Sequence, residues 1–182
     1  SSEYVQAARQ LMGPELPLMM DVNCPWSVAQ TLEMLPQLQA SNLLWLEEPI
    51  WPPEDFRGLK KIRDKKSIAI AAGENNISTC HFEEMLAYGS VDFAQPSVTK
   101  IGGITEMLKI MDLCQHFETP VMPHSPYFGP GLLATLHLAA ILQTETMIGV
   151  FLGLIVILIS KYSFYQEEGF QVEEEEEVEE EE

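Results

Sequence analysis

Three carboxylates recur at nearly equal spacing. Asp21 closes the run LPLMMD, Glu47 closes LLWLE, and Glu74 follows IAIAAG. Their separations, 26 and 27 residues, match one strand-plus-helix unit. In a parallel sheet the C-terminal strand ends share one face, so one carboxylate per neighbouring strand end brings the three together. Crowded negative charges repel unless a cation sits among them, and an all-oxygen donor set suits a hard ion, Mg²⁺. Any one of the three alone reads as a helix cap or loop residue; the common phase makes them a candidate site. Two further segments keep that phase. VDFAQ leads into Pro96–Gly103, and TPVMPH ends at His124, a side chain able to take or give a proton near neutral pH. His81, His116 and His137 fall inside helix candidates and read as structural.

The elements that must position these groups are legible from residue 1 to 149. Strand candidates are Leu16–Asp21, Leu43–Glu47, Ile68–Ala72, Phe93–Gln95 and Val121–Pro123. Helix candidates are Ser2–Leu11, Ser27–Gln39, Glu54–Asp64, Ser78–Ala87, Ile104–His116 and Leu132–Leu142. Near-continuous apolar strands between helical periods predict a parallel sheet covered by helices. Ser27 and Ser78 stand where helix caps belong. Gly102-Gly103 breaks the chain before the Ile104 helix. The same pair weakly fits a phosphate loop of another doubly wound fold, without the full Gly-rich fingerprint. The fold class is α/β, a partial TIM-like (β/α) barrel. A complete barrel takes about 250 residues, against 182 in this chain.

Charge divides the chain. Residues 1–149 carry 9 Lys/Arg and 17 Asp/Glu, whereas residues 150–182 carry Lys161 and 11 Glu. Three segments follow: the partial barrel at 1–149, an apolar element at 150–165, and an acidic tail at 166–182, predicted to be disordered because like charges bury no apolar surface. The apolar run Met147–Ile159 is 13 residues long, short of the roughly 20 a membrane span needs. No basic patch argues for nucleic acid. Three cysteines without zinc-site spacing, and a start SSEYVQAARQ without signal-peptide features, predict a cytoplasmic protein.

The phrases DVN, WLEEP, AAGEN, QPSVTKIGGITE and MPH, in this order and spacing, resemble the C-terminal barrel of mandelate racemase-like enzymes. These form the mandelate racemase/muconate lactonizing enzyme branch of the enolase superfamily, and many are acid-sugar dehydratases. The resemblance covers about residues 1 to 148. It implies Asp21, Glu47 and Glu74 as Mg²⁺ ligands and His124 as the catalytic histidine. Asn23, Glu48, Ser97 and Lys100 would stand behind the ligands or against the substrate. The implied reaction removes the proton next to the carboxylate of a small hydroxy acid or sugar acid, with loss of water. Intact members are expected to be homo-oligomers.

The chain departs from that pattern in three places. Ser97 stands where the family usually has an aspartate paired with the histidine. The lysine-bearing strand and the capping domain that precede the first ligand are absent from this sequence, which therefore reads as truncated. From Gly149 onward the sequence diverges, and the acidic residue usual near the last strand is missing. Racemisation needs a base on each side of the carbon, and His124 is the one candidate, so dehydration is the expected reaction. The alternative is a catalytically inactive barrel fragment, or an interaction protein with an acidic tail.

Overall fold

A computed structural model describes residues 2–142. The expected apolar element at 150–165 and acidic tail at 166–182 lie outside the described residues. Helices and short strands alternate along the chain: α1 (Ser2–Met12), β1 (Met20–Asp21), α2 (Val28–Gln39), β2 (Leu46–Glu47), α3 (Phe56–Arg63), β3 (Ile70–Ala72), α4 (Thr79–Ala87), β4 (Phe93–Ala94), α5 (Ile104–His116) and α6 (Pro130–Ile141). The four strands form one parallel sheet in the order β1-β2-β3-β4. Val121 adds a parallel bridge to Ala94. Among the described residues the sheet is open, so it forms part of a barrel wall.

The regular strands are shorter than the apolar runs predict, yet the pairing extends past them. Leu44 N–H donates to Leu18 O, Val22 N–H to Glu47 O, and Cys24 N–H to Glu48 O. On the far side Met122 N–H donates to Ala94 O and His124 N–H to Pro96 O. The expected fifth strand is therefore a paired segment without regular strand geometry.

Register sets the chemistry. Asp21 pairs with Glu47, Glu47 with Ala71, and Ala72 with Ala94, so strand ends of one sense share one edge. Local signals fix the helices as expected. Ser27 caps α2 with a reciprocal capping box to Gln30, and Ser78 caps α4 by accepting from the His81 N–H, each supplying an acceptor to an orphan donor. The helices bury Leu35, Leu38, Leu59, Ile62, Phe82, Met85, Met107 and Ile110 together with Leu46, Ile70 and Ala94 from the sheet. This apolar layer holds the strand ends in place, and its burial is the main force available to do so.

Candidate metal centre

Glu47 closes β2, and its orientation has a visible cause. Its Oε2 accepts a 2.9 Å hydrogen bond from Trp45 Nε1. Trp45 lies two residues earlier, on the same face of the strand, and packs against Phe93 with ring centroids 5.1 Å apart. Glu74 follows β3 across Gly73, whose φ of 128° lies in a region that side chains rarely adopt. A Cβ at Gly73 would also stand 3.0 Å from the Phe82 ring and 3.3 Å from Gln95 N. The glycine thus lets the chain turn tightly out of β3 and deliver Glu74 to the face that Glu47 occupies.

His124 reaches the same point from the segment paired outside β4. Its Nδ1 lies 2.7 Å from Glu74 Oε2. Lys100 Nζ lies 3.7 Å from the other oxygen of Glu74. Glu47, Glu74 and His124 each offer one ligand atom, and these atoms all lie within 4.8 Å of one another. Asp21, beside Glu47 in register, stands outside this tightest group. Each of its oxygens accepts one hydrogen bond from Asn23: the backbone N–H donates to Oδ1 at 2.9 Å and Nδ2 donates to Oδ2 at 3.0 Å. Asn23 thus orients the Asp21 carboxylate.

The electrostatics are those of negative charge gathered away from water. Burial, and then the neighbouring charge of Glu47, push the Asp21 carboxyl from 3.8 up to about 8, against the opposing pull of the Asn23 N–H. Burial also raises Glu47, while hydrogen bonding from Gln95 and Trp45 pulls it back. Glu48, 2% exposed, is pushed to about 7 by burial and by Glu74. Burial alone would raise Glu74 too. The hydrogen bond from His124, together with Lys100, outweighs it and holds Glu74 below the usual carboxylate range. Such a cluster gains most from a divalent cation, which would remove the repulsion among the carboxylates. Its donors are carboxylate oxygens with one imidazole nearby, a set that suits a hard ion.

The flanking residues divide. Glu48 Oε2 accepts from Asn75 Nδ2 at 2.7 Å and from the Cys24 thiol at 3.3 Å, while Oε1 has no hydrogen-bond partner. Burial and the Glu48 charge push the Cys24 thiol well up, so it remains a protonated donor. Ser97, fully buried, bonds to Tyr127 Oη at 2.9 Å and Thr99 Oγ1 at 3.2 Å rather than to His124. Gly102 and Gly103 both take positive φ, and Gly103 N–H donates to Val98 O. Their place is the turn before α5.

Sequence reasoning did not single out Trp45, Cys24, Asn75, Gln95 or Tyr127. For Trp45 a signal existed, since residues two apart on a strand share a face. For Cys24 and Asn75 there was none, because left-handed backbone at Asn23, Cys24 and Glu48 decides where those side chains go.

Comparisons with known proteins bear on this geometry. The family described as Enolase C-terminal domain-like matches residues 1–174, past the point at which the motifs end. The L-talarate/galactarate dehydratase of Salmonella typhimurium is 34% identical over 118 residues, which is 65% of this chain and 29% of that protein. The crystal structure of the 3,6-anhydro-D-galactonate cycloisomerase from Zobellia galactanivorans superposes with a TM-score of 0.75 at 32% identity, over 81% of this chain and 42% of that one. The L-talarate dehydratase from Polaromonas sp. JS666, complexed with Mg and L-glucarate, superposes with a TM-score of 0.72 at 30% identity, over 80% of this chain and 39% of that one. The chain spans less than half the length of each.

Proposed function

The chain belongs to the enolase C-terminal domain-like family, and from that premise we propose that it carries the cation site and proton-transfer histidine of an acid-sugar dehydratase. The observation that carries this reading is the meeting of Glu47 at the end of β2, Glu74 just after β3 and His124 on the segment paired outside β4, with Asp21 alongside in register. The relatives named as dehydratases, and a neighbour complexed with Mg and L-glucarate, favour a polyhydroxy acid as substrate.

Asp21, Glu47 and Glu74 would hold Mg²⁺. When bound, Mg²⁺ supplies positive charge beside the substrate carboxylate, where negative charge grows as the neighbouring proton leaves. The chain's own residues do the rest. In the neutral imidazole, the Nδ1–H donates to Glu74 Oε2, which leaves the Nε2 lone pair free to accept a proton. His124 therefore takes the proton from the carbon next to the carboxylate at Nε2. The same nitrogen returns it to the hydroxyl leaving the next carbon, and water departs. Trp45 fixes the direction of Glu47, Asn23 that of Asp21, and Lys100 places a positive charge beside Glu74. Exclusion of water from the buried carboxylates strengthens each of these interactions.

The test is turnover of a panel of hydroxy and sugar acids with and without Mg²⁺. Dehydration is expected only with the cation. Glu47→Gln is expected to lose it through weaker Mg²⁺ binding, and His124→Asn to lose it with Mg²⁺ binding kept. Unchanged rates in both variants would sink the assignment. The open sheet among the described residues favours a second reading, a catalytically inactive barrel fragment. Mg²⁺-dependent stabilisation without turnover on any acid of the panel would select it.

A further inference from the structure

We propose that Tyr127 is a positioning residue for His124, its ring forming the wall that fixes the imidazole plane while Ser97 anchors its hydroxyl. The inference rests on His124 being the proton-transfer base.

His124 is secured at two points, its Nδ1 on Glu74 and its backbone N–H on Pro96 O at 3.1 Å. A single hydrogen bond at Nδ1 leaves the ring free to swing about that bond, and Nε2 would sweep an arc. The Tyr127 ring closes that freedom. It stands edge-to-face with the imidazole, centroids 6.3 Å apart and planes at 84°, a favoured arrangement for two aromatic rings. Tyr127 is in turn held through its hydroxyl. Its hydroxyl bonds at 2.9 Å to Ser97, which is fully buried and also bonds to Thr99. On the other side Gly131, in the first turn of α6, leaves room beside Thr99 and Tyr127: a Cβ there would stand 2.9 Å from Thr99 Cγ2 and at ordinary contact distance, 3.4 Å, from Tyr127 Cβ. The ring beside His124 is thus tied through its hydroxyl to the loop after β4. Ser97 carries no charge, so the assembly can set the direction of the imidazole without supplying a counter-ion to it.

The test reads orientation apart from turnover. The full chain is labelled with ¹³C,¹⁵N-histidine, and the His124 signals are identified by their loss in His124→Asn. At fixed pH, with and without Mg²⁺, Tyr127→Leu is expected to remove the ring-current shift on the His124 ring protons. The signals of His81, His116 and His137 should stay in place and report an intact fold. Ser97→Ala and Tyr127→Phe are expected to reduce the shift, because the ring loses its anchor. A His124 signal unmoved in Tyr127→Leu overturns the proposal, and one unmoved in both Ser97→Ala and Tyr127→Phe overturns the role of the hydroxyl bond. In turnover, Tyr127→Leu is expected to lower kcat roughly 100-fold with KM little changed. A loss confined to KM would assign Tyr127 to substrate binding and overturn the positioning role. A chain without turnover would refute the dehydratase reading, while the histidine spectrum would still decide whether Tyr127 sets the ring.

Discussion

Trp45 and Glu47 illustrate how one apolar side chain can tune a polar site. The indole sits in the core at 3% exposure and presents one N–H to Glu47. That bond restricts the carboxylate rotor and lowers the proton affinity that burial raises. A partner standing behind a metal ligand is typically worth 10- to 100-fold in metal affinity. Trp45→Phe keeps a ring against Phe93 but removes the donor together with part of the buried indole. Its Mg²⁺ affinity is expected to fall by roughly 10- to 100-fold, measured by isothermal titration, alongside a lower metal-free melting temperature from the cavity left in the core. Unaltered affinity would mean that Glu47 is oriented by something other than the indole.

At the scale of the element, the turn out of β3 is tightly constrained. Gly73 combines a φ of 128° with an approach that would put a methyl group 3.0 Å from the Phe82 ring and 3.3 Å from Gln95 N, so that these neighbours would have to shift. Gly73→Ala meets both strains at once. It is expected to destabilise the fold by about 1–3 kcal/mol, read as a lower urea midpoint with an unchanged slope. Because Glu74 hangs from this turn, the variant should also show a smaller Mg²⁺-induced shift in melting than the parent chain. An equal shift would show that Glu74 keeps its place by other contacts.

For the whole molecule, the carboxylate cluster links stability to pH and to cation. Asp21 has a folded pKa of about 8 against 3.8, so between those values the native state holds a proton that the unfolded chain has released. Stability then falls as pH rises through that window. Glu47 and Glu48 are shifted in the same sense. Glu74, held low, acts oppositely, and its contribution is lost as pH falls below the ordinary carboxylate range. The cation-free chain is therefore expected to melt higher near pH 5.5 than near pH 8. Mg²⁺ at 100 times its Kd adds about 2.7 kcal/mol, mostly where the carboxyls must ionise to bind it, and should flatten the slope. Thermal melts in chelator and in Mg²⁺ at the two pH values check this; a cation-free chain that gains stability toward pH 8 would contradict it.

Much of this was legible in the residues themselves. The even spacing of Asp21, Glu47 and Glu74 after apolar runs gave the parallel sheet and the shared face, because alternating periodicity and strand-end phase are local properties of the chain. The caps at Ser27 and Ser78 were equally local. What only the tertiary structure decided is how the groups divide the space they share. The structure put Nδ1 of His124 on Glu74 and turned Ser97 to Tyr127 rather than to the histidine. Those outcomes depend on side-chain directions set by left-handed turns and by packing between segments some 25 to 50 residues apart, which no spacing along the chain encodes.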